Sequence, residues 1–233
     1  MKTILITNSD SGLGFSLVYH YVAQGDCVFA ATANPNAPDH LRMLATRYPG
    51  RLTVLHLDPT QHGQISAVCD LISAKTGVLD LLINNAELNK KLYLDSLENA
   101  AFAFRMNAIA PIMVARKFVH LLQHSAEPKI VNLVANNEYL YSADTGTGSS
   151  YNYSASKQAL KLYSQELSRD LASHGIEVMM LDIGCLPSSA SKYDEPSLRP
   201  IMHNTVSRIT ASIERPVGPH PFQGSYSGTP AQV

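Results

Sequence analysis

The sequence predicts an α/β fold, a doubly wound parallel sheet flanked by helices on both faces, in a single domain over residues 1–233. Three observations predict it. Short aliphatic and β-branched runs alternate with amphipathic helical stretches from residue 3 to residue 181, and such alternation gives parallel strands joined by right-handed helical crossovers. A glycine-bearing turn, Asn8-Ser-Asp-Ser-Gly-Leu-Gly14, stands between the first run and the first helix. No repeat or linker divides the chain.

Thr3 to Thr7 is short and β-branched, and it reads as a buried strand rather than a helix. After the glycine turn, an apolar-periodic segment from Phe15 to Ala23, closed by Gly25, reads as a helix. A turn placed this way points free backbone N–H groups and the positive end of the helix at an anion, usually the pyrophosphate of a dinucleotide. Cys27 to Ala31 is a second strand, Asp39 to Tyr48 a helix, and Leu52 to Leu57 a third strand ending in Asp58-Pro59. Gln64 to Lys75 carries Ile65, Val68, Leu71 and Ile72 at helical spacing. Leu79 to Ile83 is a fourth strand that runs into Asn84-Asn-Ala-Glu87, and a long helical region covers Leu97 to His124. Lys129 to Val134 is a fifth strand. A helix with Leu160, Tyr163, Leu167 and Leu171 on one stripe then precedes a sixth strand, Ile176 to Leu181.

Beyond Gly184 the composition changes. Pro187 to Pro200 reads as a loop and Leu198 to Ile213 as one or two short helices; Pro216, Pro219 and Pro221 forbid a continuous helix after that. Residues 222–229 read as a final edge strand, and 185–221 as a loop with short helices on the substrate side. Ligands of such sheets bind beyond the carboxyl ends of the strands, where these loops converge.

At 233 residues the chain buries an ample core for one domain. Its 18 Lys and Arg nearly balance 19 Asp and Glu, which argues against a nucleic-acid or acidic-membrane surface. The expected partners are small molecules and copies of the chain itself, as a homodimer or homotetramer. No apolar run reaches the roughly 20 residues of a membrane span and no leader pattern is present, so a cytoplasmic location is expected. Cys27, Cys69 and Cys185 are odd in number and scattered, and they read as reduced thiols. His120 and His124 have a metal-ligand spacing but no accompanying glutamate or third ligand. They read as helix C-terminal residues favoured by the dipole, and no metal is expected. Ser149-Ser150 lacks the context of a nucleophile elbow.

The chemistry centres on Tyr153-Ser-Ala-Ser-Lys157. Positions i and i+4 share a helix face, and a phenol near a fixed ammonium ionises more easily because the opposite charge favours phenolate. Tyr153 is thereby a candidate acid/base at neutral pH.

Together these landmarks resemble the short-chain dehydrogenase/reductase family over nearly the whole chain, and most closely its small carbonyl reductase and C-factor branch. The family's T-G-x-x-x-G-x-G appears as Thr7-Asn-Ser-Asp-Ser-Gly-Leu-Gly14, its N-N-A-G as Asn84-Asn-Ala-Glu87, its helix-four asparagine as Asn107, and its Y-x-x-x-K as Tyr153 and Lys157. The resemblance implies a Rossmann fold binding NAD or NADP, with Thr7, Asn8, Ser11, Gly12, Leu13 and Gly14 at the dinucleotide turn. It implies Asp58 at the adenine, Asn84 and Ala86 at the riboses, and Gly184 and Ser188 near the carboxamide. Tyr153 would protonate a carbonyl oxygen, Lys157 would hold the nicotinamide ribose and lower the tyrosine pKa, and Asn107 would anchor a relay water. The substrate implied is a ketone or secondary alcohol.

The sequence departs from the family pattern at four places. Asn8 replaces the first turn glycine, and Asn is the non-glycine residue best able to take a left-handed backbone angle. Glu87 replaces the glycine after Asn-Asn-Ala. Ala135 stands where the fifth strand would carry the serine that bonds the substrate oxygen, with Asn136, Asn137 and Ser142 as candidate replacement donors. Ile183-Gly184 replaces the family's Pro-Gly. The second strand ends in Ala31-Thr-Ala-Asn-Pro35, with neither an acid for the ribose of NAD nor an arginine for the phosphate of NADP, and the missing repulsion leans the expectation to NADP.

Three functions are compatible with these residues. The first is an NAD(P)-dependent oxidoreductase. The second is a lyase, dehydratase or isomerase on the same fold, kept open by Ala135 and Glu87. The third is a non-catalytic dinucleotide-binding protein, against which Tyr153, Lys157 and Asn107 argue.

Overall fold

The structure is a computed structural model that describes residues 1–10, 12–85, 96–134, 151–183 and 199–215, the side chains of Tyr151, Tyr153, Ser154, Arg199, Pro200 and Ile201 excepted. Its strands are β1 (Thr3–Ile6), β2 (Cys27–Thr32), β3 (Leu52–His56), β4 (Leu81–Asn84), β5 (Lys129–Val134) and β6 (Glu177–Asp182). Its helices are α1 (Gly12–Gln24), α2 (Asp39–Arg47), α3 (His62–Thr76), α4 (Leu97–Phe104), α5 (Ala110–Leu122), α6 (Tyr151–Ala172) and α7 (Arg199–Glu214). The six strands form one all-parallel sheet in the order β3-β2-β1-β4-β5-β6. That order reverses direction between β1 and β4, which opens a crevice at their carboxyl ends.

Side-chain alternation along the strands feeds two cores. Ile4 and Ile6 of β1 face the cluster built with α1, α2 and α7, whereas Leu5 faces the one built with α3, α5 and α6. Both faces are therefore covered, as a parallel sheet requires. Cys27 and Cys69 are buried, and burial pushes both thiols up, away from thiolate.

Most element ends shift by a residue or two from the expectation, and three changes have a structural reason. The first helix begins at Gly12 rather than Phe15, because the end of the glycine turn is already helical. The fourth strand begins at Leu81 rather than Leu79, since Leu79 and Asp80 bond to Leu121 and Thr3 before the ladder starts. The helical region after Leu97 is interrupted by a π-helical turn, Arg105–Ile109. Of the one or two short helices expected over 198–213 there is one, α7, with Pro200 in its first turn, where no N–H is missed. The edge strand expected over 222–229 lies outside the described residues.

Lys129 at the start of β5 is buried and fixes the end of α7. It donates to the carbonyl of Ile213 at 2.7 Å and to that of Arg215 at 3.4 Å, and its ammonium lies 3.3 Å from Glu177, its register partner on β6. At the other contact of α7, against α1, the hydroxyl of buried Tyr21 has no partner among the described residues. Burial, with Glu214 and Asp26 nearby, pushes that phenol well above its ordinary range. Tyr21→Phe is therefore expected to leave stability unchanged or raise it by about 1 kcal/mol, as read by urea unfolding. A loss of stability would mean that the hydroxyl has a partner.

Candidate functional site

The carboxyl end of β1 turns sharply into α1, and the turn is shaped by close backbone approach. Asn8 takes φ 52 and Gly12 φ 50, so the asparagine in place of a turn glycine adopts the left-handed angle expected of it. A Cβ on Gly14 would overlap the carbonyl oxygen of Asn8 and come within 2.7 Å of the Asn85 amide nitrogen. Ser9, fully buried, ties the turn down: its hydroxyl donates to Ile6 at 2.7 Å and its N–H to Ala31 at 2.9 Å. The result is a tight turn at the amino end of a thirteen-residue helix, a cradle that fits a pyrophosphate.

Thr7 and the asparagine pair hold this turn to β4. The N–H of Thr7 donates to Ile83 at 3.1 Å, and the Thr7 hydroxyl accepts from the N–H of Asn85 at 3.0 Å. The Asn85 amide donates to the carbonyl of Asn8 at 3.0 Å. Sequence reasoning passed over Asn85, although an asparagine directly after a buried strand and opposite the glycine turn could have singled it out. Asn84 points into the protein instead. Its amide donates to Pro111 at 3.1 Å and to Asn132 at 2.8 Å; Asn132 donates to Ser164 at 2.8 Å, and Ser164 to Leu160 at 2.7 Å. This buried chain couples β4, β5, α5 and α6, and every member is satisfied, which rigidifies the sheet end. The signal for Asn132 was one polar residue inside the apolar run Lys129 to Val134.

Across the crevice stand the π turn and α6. Asn107 is fully buried in the π turn, and its amide donates to Ser156 of α6 at 3.1 Å. Pro111 interrupts the α-helical ladder, because it has no N–H to give the carbonyl of Asn107 four residues earlier, and Ala110 bonds to Arg105, five residues back. That proline was the legible sign of the interruption. Lys157 is 5% exposed, with a long 3.5 Å contact from its ammonium to the carbonyl of Leu133 at the end of β5. A buried ammonium has to be held by acceptors, so a lysine at the carboxyl ends of the strands is an unusual investment of charge. The backbone of Tyr153 lies one helical turn before it.

At the end of β2 the structure supplies a group absent from the sequence reading. The Asp10 carboxylate of the glycine turn accepts from the hydroxyl of Thr32, the last residue of β2, at 2.9 Å, and the Asp10 carbonyl lies 2.7 Å from Nε2 of His40 on α2. The lean to NADP is drawn from the strand's own residues and does not count this carboxylate of the turn, which lies beside the strand end. Asp58, placed at the adenine by resemblance, forms a turn at the end of β3, its side chain accepting from the N–H and hydroxyl of Thr60 at 2.9 and 2.7 Å.

Ser11, Ala86, Glu87, Ala135, Asn136, Asn137, Ser142, Gly184, Cys185 and Ser188 lie outside the described residues, as does the side chain of Tyr153. Leu13 is buried in the first core cluster. His124 follows the end of α5 and its Nδ1 lies 2.8 Å from the carbonyl of Gly77, while Nε2 of His120 lies 3.9 Å from the Cys69 sulfur. The pair thus touches α3 and its cap. No group of three or more potential metal ligands occurs among the described residues, nor does a helix long and apolar enough to cross a membrane.

Residues 2–197 match the family model for short chain dehydrogenases. A short-chain dehydrogenase of Penicillium crustosum is 33% identical over 190 residues, covering 79% of this chain and 66% of its own length. Human retinol dehydrogenase 14 is 28% identical over 215 residues, covering 82% of this chain and 64% of its own. The chain thus spans about two thirds of the length of these relatives. Among solved structures, an NADPH-bound carbonyl reductase from chicken fatty liver superposes with a TM-score of 0.71 at 23% identity, over 82% of this chain and 85% of that one, a likeness of fold. The chain belongs to the short-chain dehydrogenase family.

Proposed function

We propose that this member of the short-chain dehydrogenase family is an NAD(P)-dependent oxidoreductase that moves hydride between the cofactor and a ketone or secondary alcohol. The observation that carries the reading is Lys157, buried one turn after Tyr153 and across the crevice from a glycine turn with no room for a side chain at Gly14. The nicotinamide supplies or takes up the hydride. The chain's own residues bind, orient and move the proton. The turn from Asn8 to Gly14 takes the pyrophosphate on free N–H groups, and Ser11 and Leu13 belong to the same turn. Asn84, Ala86, Gly184 and Ser188 are the proposed contacts toward the ribose and carboxamide end, and Asp58 toward the adenine. Tyr153 gives its hydroxyl proton to the carbonyl oxygen during reduction and takes one from the alcohol during oxidation. The Lys157 ammonium favours the phenolate and so brings that exchange into the neutral range. Asn107, buried in the π turn and bonded to Ser156 of α6, is the proposed anchor of a relay water on the path from Lys157 to solvent.

Large apolar side chains left exposed from α4 to α6, among them Phe102, Ile109, Met113 and Leu162, favour a homodimer or homotetramer. The test of the reading is a calorimetric titration with NADH and NADPH, followed by a panel of ketones and secondary alcohols monitored by oxidation or reduction of the nicotinamide. A chain that binds neither dinucleotide would refute it.

Ala135 favours a second reading, because a missing hydroxyl beside the substrate oxygen suits a site used for non-redox chemistry. A preorganised donor at such a position contributes on the order of 3 kcal/mol. Under hydride transfer without a substitute donor, Ala135→Ser is expected to raise kcat/KM by up to about a hundredfold. If Asn136, Asn137 or Ser142 already serves, the gain is small, and truncating that residue to Ala lowers the rate by a comparable factor. Lower activity on adding the serine favours the lyase or isomerase class, and four variants without effect on a hydride-transfer rate would mean that the substrate oxygen lies elsewhere.

A further inference from the structure

Discrimination between NAD and NADP is made where the adenosine ribose meets the end of the second strand, by an acid that accepts from the 2′-hydroxyl and repels a 2′-phosphate. The strand itself offers no such acid here. The glycine turn does, because Asp10 reaches sideways to Thr32 at the carboxyl end of β2, 2.9 Å from its hydroxyl. We infer that Asp10 is the cofactor-selecting residue of this chain, accepting from the ribose diol of NAD and excluding the phosphate of NADP. The inference rests on the dinucleotide-binding reading and deepens it.

Several features fix the carboxylate in place. Thr32 is 1% exposed, and its hydroxyl also accepts the N–H of Asn34 at 3.0 Å, so the single hydroxyl proton is directed at Asp10. The backbone of Asp10 is held from the other side by His40, whose Nε2 lies 2.7 Å from its carbonyl and therefore acts as the donor, while the ring stacks edge-on against Phe15 at 4.7 Å between centroids. One carboxylate oxygen thus receives Thr32, and the other has no partner among the described residues. An acceptor-only group of this kind suits a diol, which has protons to give, and opposes a phosphate, which at neutral pH has almost none.

The two bases of α2 nearest the turn are engaged elsewhere. His40 is turned to the backbone of Asp10, and Arg42, the next base on α2, pairs with Asp39 on the surface. A 2′-phosphate brought to this strand end would meet the Asp10 carboxylate, with the Arg42 guanidinium held by Asp39. Asp10 is partly exposed, so solvent and salt screen the repulsion to a modest factor rather than an absolute bar.

Calorimetric dissociation constants for NADH and NADPH, measured on the intact chain and its variants, test this without recourse to turnover. The native chain is expected to bind NADH at least tenfold more tightly than NADPH. Asp10→Asn keeps the shape and an acceptor for Thr32 but removes the charge, and it is expected to cut that ratio at least fivefold, chiefly by tightening NADPH. Thr32 is a positioning residue: Thr32→Val should erode the ratio, whereas Thr32→Ser, which keeps the hydroxyl, should retain it, and this pair reads the same quantity if Asp10→Asn fails to fold. Equal or tighter NADPH binding by the native chain, or a ratio unmoved by these changes while both dinucleotides still bind, would overturn the role of Asp10 and leave the oxidoreductase reading intact. Binding of neither dinucleotide would sink both together.

Discussion

Tyr153→Phe is expected to lower kcat by about 10³-fold while leaving the dissociation constant of the dinucleotide within a few-fold of native. The substitution keeps the ring and removes one hydroxyl, so a helix position one turn before Lys157 stays filled and the melting temperature should barely move. What is lost is the proton that reaches the carbonyl oxygen as hydride arrives, and the described hydroxyl of Ser156 is fully buried against Asn107 and does not replace it. Near-native kcat in this variant would dismiss Tyr153 as the acid/base. Transfer of deuterium from labelled reduced nicotinamide to product separates the remaining readings, since a lyase or isomerase relying on the same phenol would also lose turnover but would never carry the label.

The sheet and its order of elements were legible because each strand is a compact apolar run and each helix has a stripe, so burial on two faces can be read from Ile4, Leu5 and Ile6 alone. The glycine turn was legible for the same local reason: the left-handed angle at Asn8 is a property of the residue type and its neighbours. Contacts between distant segments were not. Nothing in the sequence near Asp10 says that its carboxylate meets Thr32, twenty-two residues on, because that meeting depends on the parallel pairing of β1 with β2. The buried chain from Asn84 through Asn132 to Ser164 likewise needs β4 beside β5 and α6 beneath them. The resemblance implies Asn84 at the ribose but says nothing of its amide nitrogen, which donates inward to Pro111, or of Asn85, whose amide holds the turn. The π turn lay between these extremes: Pro111 announced a missing hydrogen bond, but a missing bond can be met by a kink, a break or a π register, and only the packing of α6 against Asn107 selects among them.

Gly14→Ala is expected to lower dinucleotide affinity about a hundredfold and the melting temperature by roughly 5–10 °C. The mechanism is contact, not backbone angle, because Gly14 is absent from the positive-φ positions. Its missing Cβ would overlap the carbonyl oxygen of Asn8, and that oxygen is pinned: it accepts from the Asn85 amide, whose nitrogen would itself lie 2.7 Å from the new methyl. The Asn8 oxygen is backbone and the end of the Asn85 side chain is bonded to it, so the strain is relieved by moving the turn away from α1 or by breaking the link to β4. Either movement opens the backbone cradle that would take the pyrophosphate. Gly63→Ala is the matching control, since a Cβ there meets nothing within 4 Å and removes backbone freedom near the start of α3, which should leave binding untouched and stability equal or slightly higher. Gly14→Ala with native melting and unchanged affinity would show that β1, the turn and β4 do not approach as described. A variant that melts normally yet fails to bind would keep the cradle and locate the damage in the pyrophosphate contact alone.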